Sequence, residues 1–219
     1  MARLIFDLDG TLVHSLPALC HAGNNLLAEI GRSPVTEAEY AAFVGRGMRA
    51  QVQDLLSATG GIPSEGVELH LRRFLDLYAA DPVSGCTAFP GVLDTLAQLS
   101  LGHAIGIATQ KLEAPAWHLL NATGIGKFVT ALTGGDTLDV LKPDPAMLLH
   151  TADRMGAGPI LFIGDSEVDR ATADNAGVPF LLYEGGYRKA SVAALAPDAS
   201  FSHYDILPGL VAELLGVSA

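Results

Sequence analysis

The chain has 219 residues, 49% hydrophobic and 17% charged, with 13 Lys+Arg against 24 Asp+Glu for a formal net charge of −11. That is too apolar for a disordered chain and too acidic for a general nucleic-acid binder, since binding to phosphate backbones depends on Lys and Arg neutralising them. No apolar run approaches membrane-spanning length, and Asp7 interrupts the apolar stretch a signal peptide would need, so a soluble cytoplasmic protein is expected, a monomer or homodimer with neither nucleic acid nor membrane as partner.

Leu4-Ile5-Phe6 is a short apolar run closed by acidic residues and Gly10, the pattern of a buried strand in a parallel sheet. From about residue 15 to 81 the pattern is helical. Pro17 suits the first turn of a helix with Ser15 near its cap and Gly31 beyond its end. Thr36 and Glu39 form a T-x-x-E capping box for a second, short helix. Gly45-Arg46-Gly47 breaks the chain, and two more helices are predicted over 48–59 and 65–80. After Pro90-Gly91 the reading alternates: helix 92–99, strand 104–108, helix 115–123, strand 129–132, helix 145–155, strand 160–163, helix 168–176, strand 180–183, and a last helix ending near 215. Such alternation predicts an α/β fold, a doubly wound parallel sheet. The core would comprise residues 1–15 and 87–219, with a helical module inserted over 16–86. Cys20 and Cys86 have no C-x-x-C spacing and give no zinc or redox signal. Two buried thiols are the simpler reading beside a single disulfide.

Ligands of open α/β sheets bind beyond the carboxyl ends of the strands. Asp7, Asp9 and Thr11 follow the first predicted strand, and Thr109, Gln110 and Lys111 follow the second. Gly134, Gly135 and Asp136 follow the third, with Lys142 soon after, and Asp165 and Asp169 follow the fourth. Asp7 and Asp9 are expected to point the same way, because side chains alternate along a strand. Two such carboxylates repel one another unless they share a hard cation. With Asp165 they make an oxygen-rich site of the kind Mg²⁺ prefers, completed by water and a phosphate. Each piece also has a plainer reading. Thr109 can be a helix cap, Lys142-Pro143-Asp144-Pro145 a loop, and Ser166 to Asp169 a capping box.

Taken together, Asp7-Leu8-Asp9-Gly10-Thr11-Leu12, then Thr109, Lys142 and Gly164-Asp165-x-x-x-Asp169, resemble the haloacid dehalogenase superfamily of phosphohydrolases, over essentially the whole chain. The helical insertion resembles that superfamily's cap domain. Gly45-Arg46-Gly47, Gly134 to Thr137, Lys142 to Pro145 and Gly186-Tyr187-Arg188 resemble its phosphoglycolate phosphatase subfamily. The chain departs from the pattern at His14, Gln110 and Asp139, where Asp, Asn and Pro are usual.

The resemblance implies phosphate monoester hydrolysis on a small phosphorylated substrate with Mg²⁺ as cofactor. Asp7 would be the nucleophile that becomes an aspartyl-phosphate. Asp9 would be the general acid and then the general base. The Asp7 and Asp165 side chains and the Asp9 backbone carbonyl would hold the metal. Thr109 and Lys142 would hold the phosphoryl oxygens, and Asp169 would orient Lys142 or a water on the metal. Thr11, Arg46 and Gln110 are candidate substrate contacts. Arg46, in its Gly-flanked loop, has the fork that suits a carboxylate such as that of 2-phosphoglycolate, although a solvated surface arginine would read the same way. Hinges for cap closure are expected near residues 14–16 and 87–91. The rivals are a sugar-phosphate phosphatase or phosphomutase, against whose mutase branch Thr11 counts. A dehalogenase would need neither Asp9 nor Asp165. A phospho-accepting receiver-like signalling domain would lack the insertion.

Overall fold

The structure, a computed structural model, describes residues 1–216. In chain order the elements are β1 (Arg3–Phe6), β2 (Val13–His14), α1 (Leu16–Glu29), α2 (Glu37–Ala41), α3 (Met48–Ala58) and α4 (Val67–Ala80). They continue with β3 (Thr87–Ala88), α5 (Val92–Leu99), β4 (Ala104–Ala108), α6 (Glu113–Ala122), β5 (Val129–Thr133) and α7 (Ala146–Asp153). The last are β6 (Ile160–Gly164), α8 (Glu167–Ala176), β7 (Phe180–Tyr183), α9 (Val192–Leu195), β8 (Ala199–Phe201) and α10 (Leu207–Leu214).

Six strands form one sheet in the order β5-β4-β1-β6-β7-β8, all paired in parallel. The fold is the doubly wound α/β sheet that the alternation predicts. Strand β1 lies at its centre, and Leu4, Ile5 and Phe6 are fully buried. Alternation sends Leu4 and Phe6 into one apolar layer with Leu96, Ile107 and Leu119. It sends Ile5 into the opposite layer with Leu148, Phe162 and Phe180. Burying each such side chain contributes roughly 1.5–3 kcal/mol. The chain leaves β1 between β4 and β6, where the strand order reverses, and crevices for ligands open at such points. Register puts Phe6 opposite both Ile107 and Ile163. Residues just beyond these three strands therefore emerge side by side.

Helices α1 to α4 enclose an apolar cluster of their own, with Leu26, Tyr40, Leu55, Phe74 and Tyr78 at its centre. The predicted capping box is present: Thr36 N donates to Glu39 Oε2 at 2.7 Å and Glu39 N to Thr36 Oγ1 at 3.3 Å. Ser15 does occupy the N-cap of α1, but its side chain caps nothing, because its near-helical backbone (φ −99°, ψ −2°) turns the hydroxyl away.

Four elements escape the sequence reading. Strands β2 and β3 pair antiparallel, Val13 with Ala88 and His14 with Thr87, joining the two crossings between the sheet and the helical module. Edge strand β8 and the single-turn α9 are too short to leave a period. Both cysteines are free; Cys20 is buried and Cys86 only half-buried, so the reading of two buried thiols holds for Cys20 alone. Among the described residues no helix is long and apolar enough to cross a membrane.

Candidate active site

Asp7 is the first residue beyond β1, and its backbone N–H donates to Ile163 O at 2.9 Å, which continues the pairing with β6. Asp165 follows β6 directly. The carboxylate oxygens of Asp7, Asp165 and Asp169 can all lie within 4.8 Å of one another. Lys142 reaches this cluster from the loop before α7. Its ammonium lies 2.9 Å from Asp7 Oδ1 and 2.6 Å from Asp169 Oδ1.

Asp165 is held from several sides. Thr11 Oγ1 donates to its Oδ1 at 2.8 Å, and Tyr187 N donates to its Oδ2 at 2.6 Å. The Gly186 backbone lies so close that a Cβ there would stand 2.2 Å from Asp165 Oδ2. Gly10 answers from the other side, with φ +86° and room for no side chain, because a Cβ would stand 2.6 Å from the same oxygen.

Asp169 has both of the roles the sequence left open. Its Oδ2 accepts from Ser166 N at 3.1 Å and completes the capping box of α8, while its Oδ1 takes Lys142. Thr109 is not a helix cap, since α6 begins four residues later, at Glu113, with Leu112 at its N-cap. Thr109 is buried beside the cavity, and its Oγ1 accepts from Lys111 N at 3.2 Å.

Other predicted positions differ. The Asp9 carboxylate does not join the three-carboxylate cluster. Lys111 takes both its oxygens, at 2.8 and 2.9 Å, so the countercharge expected from a cation shared with Asp7 comes from a lysine. That leaves the Asp9 backbone carbonyl, the atom the resemblance assigns, as its means of holding a metal. Thr11, a candidate substrate contact, is fully buried against Asp165 and lines neither cavity beside the acids; the contact its side chain makes is with Asp165. Gln110 lines the smaller cavity beside Asp7 and Asp9, and its Nε2 donates to Gly45 O at 2.6 Å, which ties the core to the Gly-flanked loop of the helical module. Arg46 stands at the cavity wall and is paired with Asp54 on α3.

Two cavities meet at Asp7 and Asp9. One of about 500 Å³ lies between the Gly-flanked loop and the sheet, with Arg46, Asp165 and Lys189 on its walls. The other, of about 30 Å³, is bounded by Gln51, Thr109, Gln110 and Lys142. Lys111 is the residue whose part the sequence reading missed. It stands third beyond β4 among the polar strand-end residues, but spacing alone does not say which acid it pairs with.

Burial pushes the Asp7 carboxyl up to about 7; Lys142 opposes the rise and Asp169 adds to it. Asp165 is raised well above the carboxylate range, by burial first and then by Asp169 and Asp7. Lys142 is held above its ordinary value, since Asp169 and Asp7 together outweigh a burial that favours the neutral amine. Lys111 is likewise raised, with Asp9 and Tyr78 overcoming burial. Four carboxylates thus face two ammonium groups, a formal excess equal to the charge of one divalent ion. All the donors of the cluster are hard oxygens, so the residues fit Mg²⁺.

The sequence model of the haloacid dehalogenase-like hydrolases matches residues 4–183. A phosphoglycolate phosphatase of Cereibacter sphaeroides is 41% identical over 217 residues, covering 98% of this chain and 100% of the relative. One from Rhodospirillum rubrum is 41% identical over 209 residues, covering 92% and 87%. The crystal structure of a predicted phosphoglycolate phosphatase from Haemophilus somnus superposes with a TM-score of 0.88 at 27% identity, covering 95% of this chain and 96% of that one.

Proposed function

The chain belongs to the haloacid dehalogenase-like hydrolases and is a phosphatase, and from that premise we propose that it hydrolyses 2-phosphoglycolate to glycolate and phosphate, with Mg²⁺, through an aspartyl-phosphate on Asp7. The observation that carries the chemistry is the cluster of Asp7, Asp165 and Asp169 bridged by Lys142 at the floor of the cavity. The substrate follows from the names of relatives that align along nearly the whole chain. Arg46 on the cavity wall supports it, because a guanidinium there can exchange Asp54 for a substrate carboxylate.

The Asp7 and Asp165 side chains and the Asp9 backbone carbonyl would hold the Mg²⁺, with Asp169 beside them. Bound there, the ion would neutralise phosphoryl charge that otherwise repels an anionic nucleophile. An Asp7 oxygen attacks phosphorus, the ester P–O bond breaks, and Asp9 gives its proton to the departing alcohol oxygen. Asp9 then takes a proton from water as that water attacks the aspartyl-phosphate, which frees phosphate and restores Asp7. Lys142 and Thr109 hold the non-bridging oxygens, and Lys142 offsets the charge that develops on them. Asp169 fixes Lys142 from behind, and Thr11 with the Tyr187 backbone fixes Asp165. The helical module acts as a cap over residues 16–86, excluding water while the ester bond breaks.

The test is a phosphate-release screen over 2-phosphoglycolate, glucose 1-phosphate and other small esters, with Mg²⁺ and after chelation. Phosphoglycolate should lead, and chelation should silence turnover. Preference for a sugar phosphate would move the assignment to the neighbouring substrate class, and a stable phospho-protein without phosphate release would overturn it.

A further inference from the structure

The Lys111 ammonium is fully enclosed, between a carboxylate from the core and an aromatic ring from the cap. On one side it meets both oxygens of Asp9, at 2.8 and 2.9 Å. On the other it lies 5.1 Å from the centroid of the Tyr78 ring on α4, within range of a cation–π contact. Tyr78 is itself fixed: it is 1% exposed, its hydroxyl donates to Pro82 O at 3.2 Å, and its ring stacks parallel to Phe74 at 6.2 Å between centroids. Where Lys111 leaves the strand is set by Thr109, whose hydroxyl accepts its backbone N–H.

Stability alone explains this pair poorly. Enclosing an ammonium and a carboxylate costs desolvation that their attraction only partly offsets, and an apolar pair of similar volume often serves a fold as well or better. Its ion pair is with Asp9 alone, whereas Lys142 spans Asp7 and Asp169. The ammonium thus fixes one acid, and one face of its own seat is supplied by the cap.

We propose that Lys111 is a positioning residue for Asp9, and that the Tyr78 ring makes its hold depend on the seating of the cap. The inference rests on the phosphatase reading. When the ester bond breaks, its electron pair goes to the leaving oxygen and the Asp9 proton follows. Lys111 touches neither the phosphorus nor that oxygen, and acts by keeping the Asp9 carboxyl aimed at the cavity. With the cap lifted, Tyr78 leaves, water reaches the ammonium, and the carboxyl is free to turn. Proton delivery is then tied to a closed cap.

An ester whose leaving group needs a proton should depend on Lys111, and one whose leaving group departs as a stable anion should not. The full-length chain is assayed with saturating Mg²⁺ on 2-phosphoglycolate and on p-nitrophenyl phosphate. Lys111→Met should lower kcat on phosphoglycolate roughly 100-fold with KM little changed, while p-nitrophenyl phosphate turnover falls no more than about 5-fold. Tyr78→Phe keeps the ring and should match wild type on both esters. Tyr78→Leu removes it and should show the same ester-selective loss, about 10-fold. The tyrosine pair keeps the test decisive if Lys111→Met fails to fold. Equal losses on both esters for Lys111→Met, or equal losses for the two tyrosine variants, would overturn the role of Lys111 while leaving the phosphatase reading intact. A wild-type chain inert on both esters would overturn that reading and this one with it.

Discussion

Mg²⁺ should stabilise the chain in a pH-dependent way, and the crowding of acids sets both direction and size. Burial raises the Asp7 carboxyl from 3.8 to about 7, and Asp165 is raised as well. Without metal, the folded chain therefore binds protons near neutrality that the unfolded chain has released. The Asp7 carboxyl supports the fold fully below about pH 4, and that support is lost as pH rises through about 7. For Asp7 alone the difference is roughly 4 kcal/mol, at 1.36 kcal/mol for each tenfold change in proton affinity. A divalent ion needs the same carboxylates ionised, so it competes with those protons. At a hundredfold excess over its dissociation constant it stabilises by about 2.7 kcal/mol. In a chain of this length that is roughly 5–11 °C in Tm. The assay is thermal unfolding from pH 5.5 to 8, in Mg²⁺ and in EDTA, read as the difference between the two, which cancels groups distant from the site. The difference should be small at pH 5.5, grow through pH 7 and vanish in Asp165→Asn. A difference that is flat with pH, or larger in acid, would refute the placing of the ion among these carboxylates.

Thr11→Val preserves shape but removes the hydroxyl that donates to Asp165; it should cost about 1–3 kcal/mol of stability and raise the Mg²⁺ needed for half-maximal rate roughly 10-fold or more, checked by a metal titration of activity. Arg46→Met should raise KM for phosphoglycolate about 10- to 100-fold and leave p-nitrophenyl phosphate nearly unaffected, so parallel changes on the two esters would remove Arg46 from carboxylate recognition. Phe74→Ala empties a fully buried position stacked on Tyr78 and should cost about 3–5 kcal/mol, seen as a lowered urea midpoint; a change below about 1 kcal/mol would mean that the cap packs without this ring.

The sheet was legible because its strands are short apolar runs, and four of them end in a residue with chemistry to offer. Strand β7 and helix α5 match their predicted bounds, since Phe180 to Tyr183 and Val92 to Leu99 are bracketed by turn residues. The cluster of Asp7, Asp165 and Asp169 follows from the same logic, because parallel register brings neighbouring strand ends together. What stayed hidden depends on contacts far apart in sequence. Lys111 is enclosed with the help of Tyr78, which approaches it from another module. Thr11 looks like a substrate contact until the chain turns at Gly10 and aims its hydroxyl at Asp165. The Gly186-Tyr187 turn carries no acid, so nothing local announces that its backbone presses on a carboxylate. Strands of two and three residues, as in β2, β3 and β8, are below the length at which alternation can be read.

The pairing of Val13 with Ala88 and His14 with Thr87 bears on how such a chain can be remodelled. Departure and return are stitched together at one spot, so the sheet experiences everything between them as a single closed excursion. Lengthening a flexible loop twofold costs only about 0.6 kcal/mol in closure entropy. A helical module of another size or shape grafted across this two-rung clasp would leave the Asp7, Asp165 and Asp169 cluster in place, so long as it again supplies a ring over Lys111, and appetite for new esters can evolve without rebuilding the sheet.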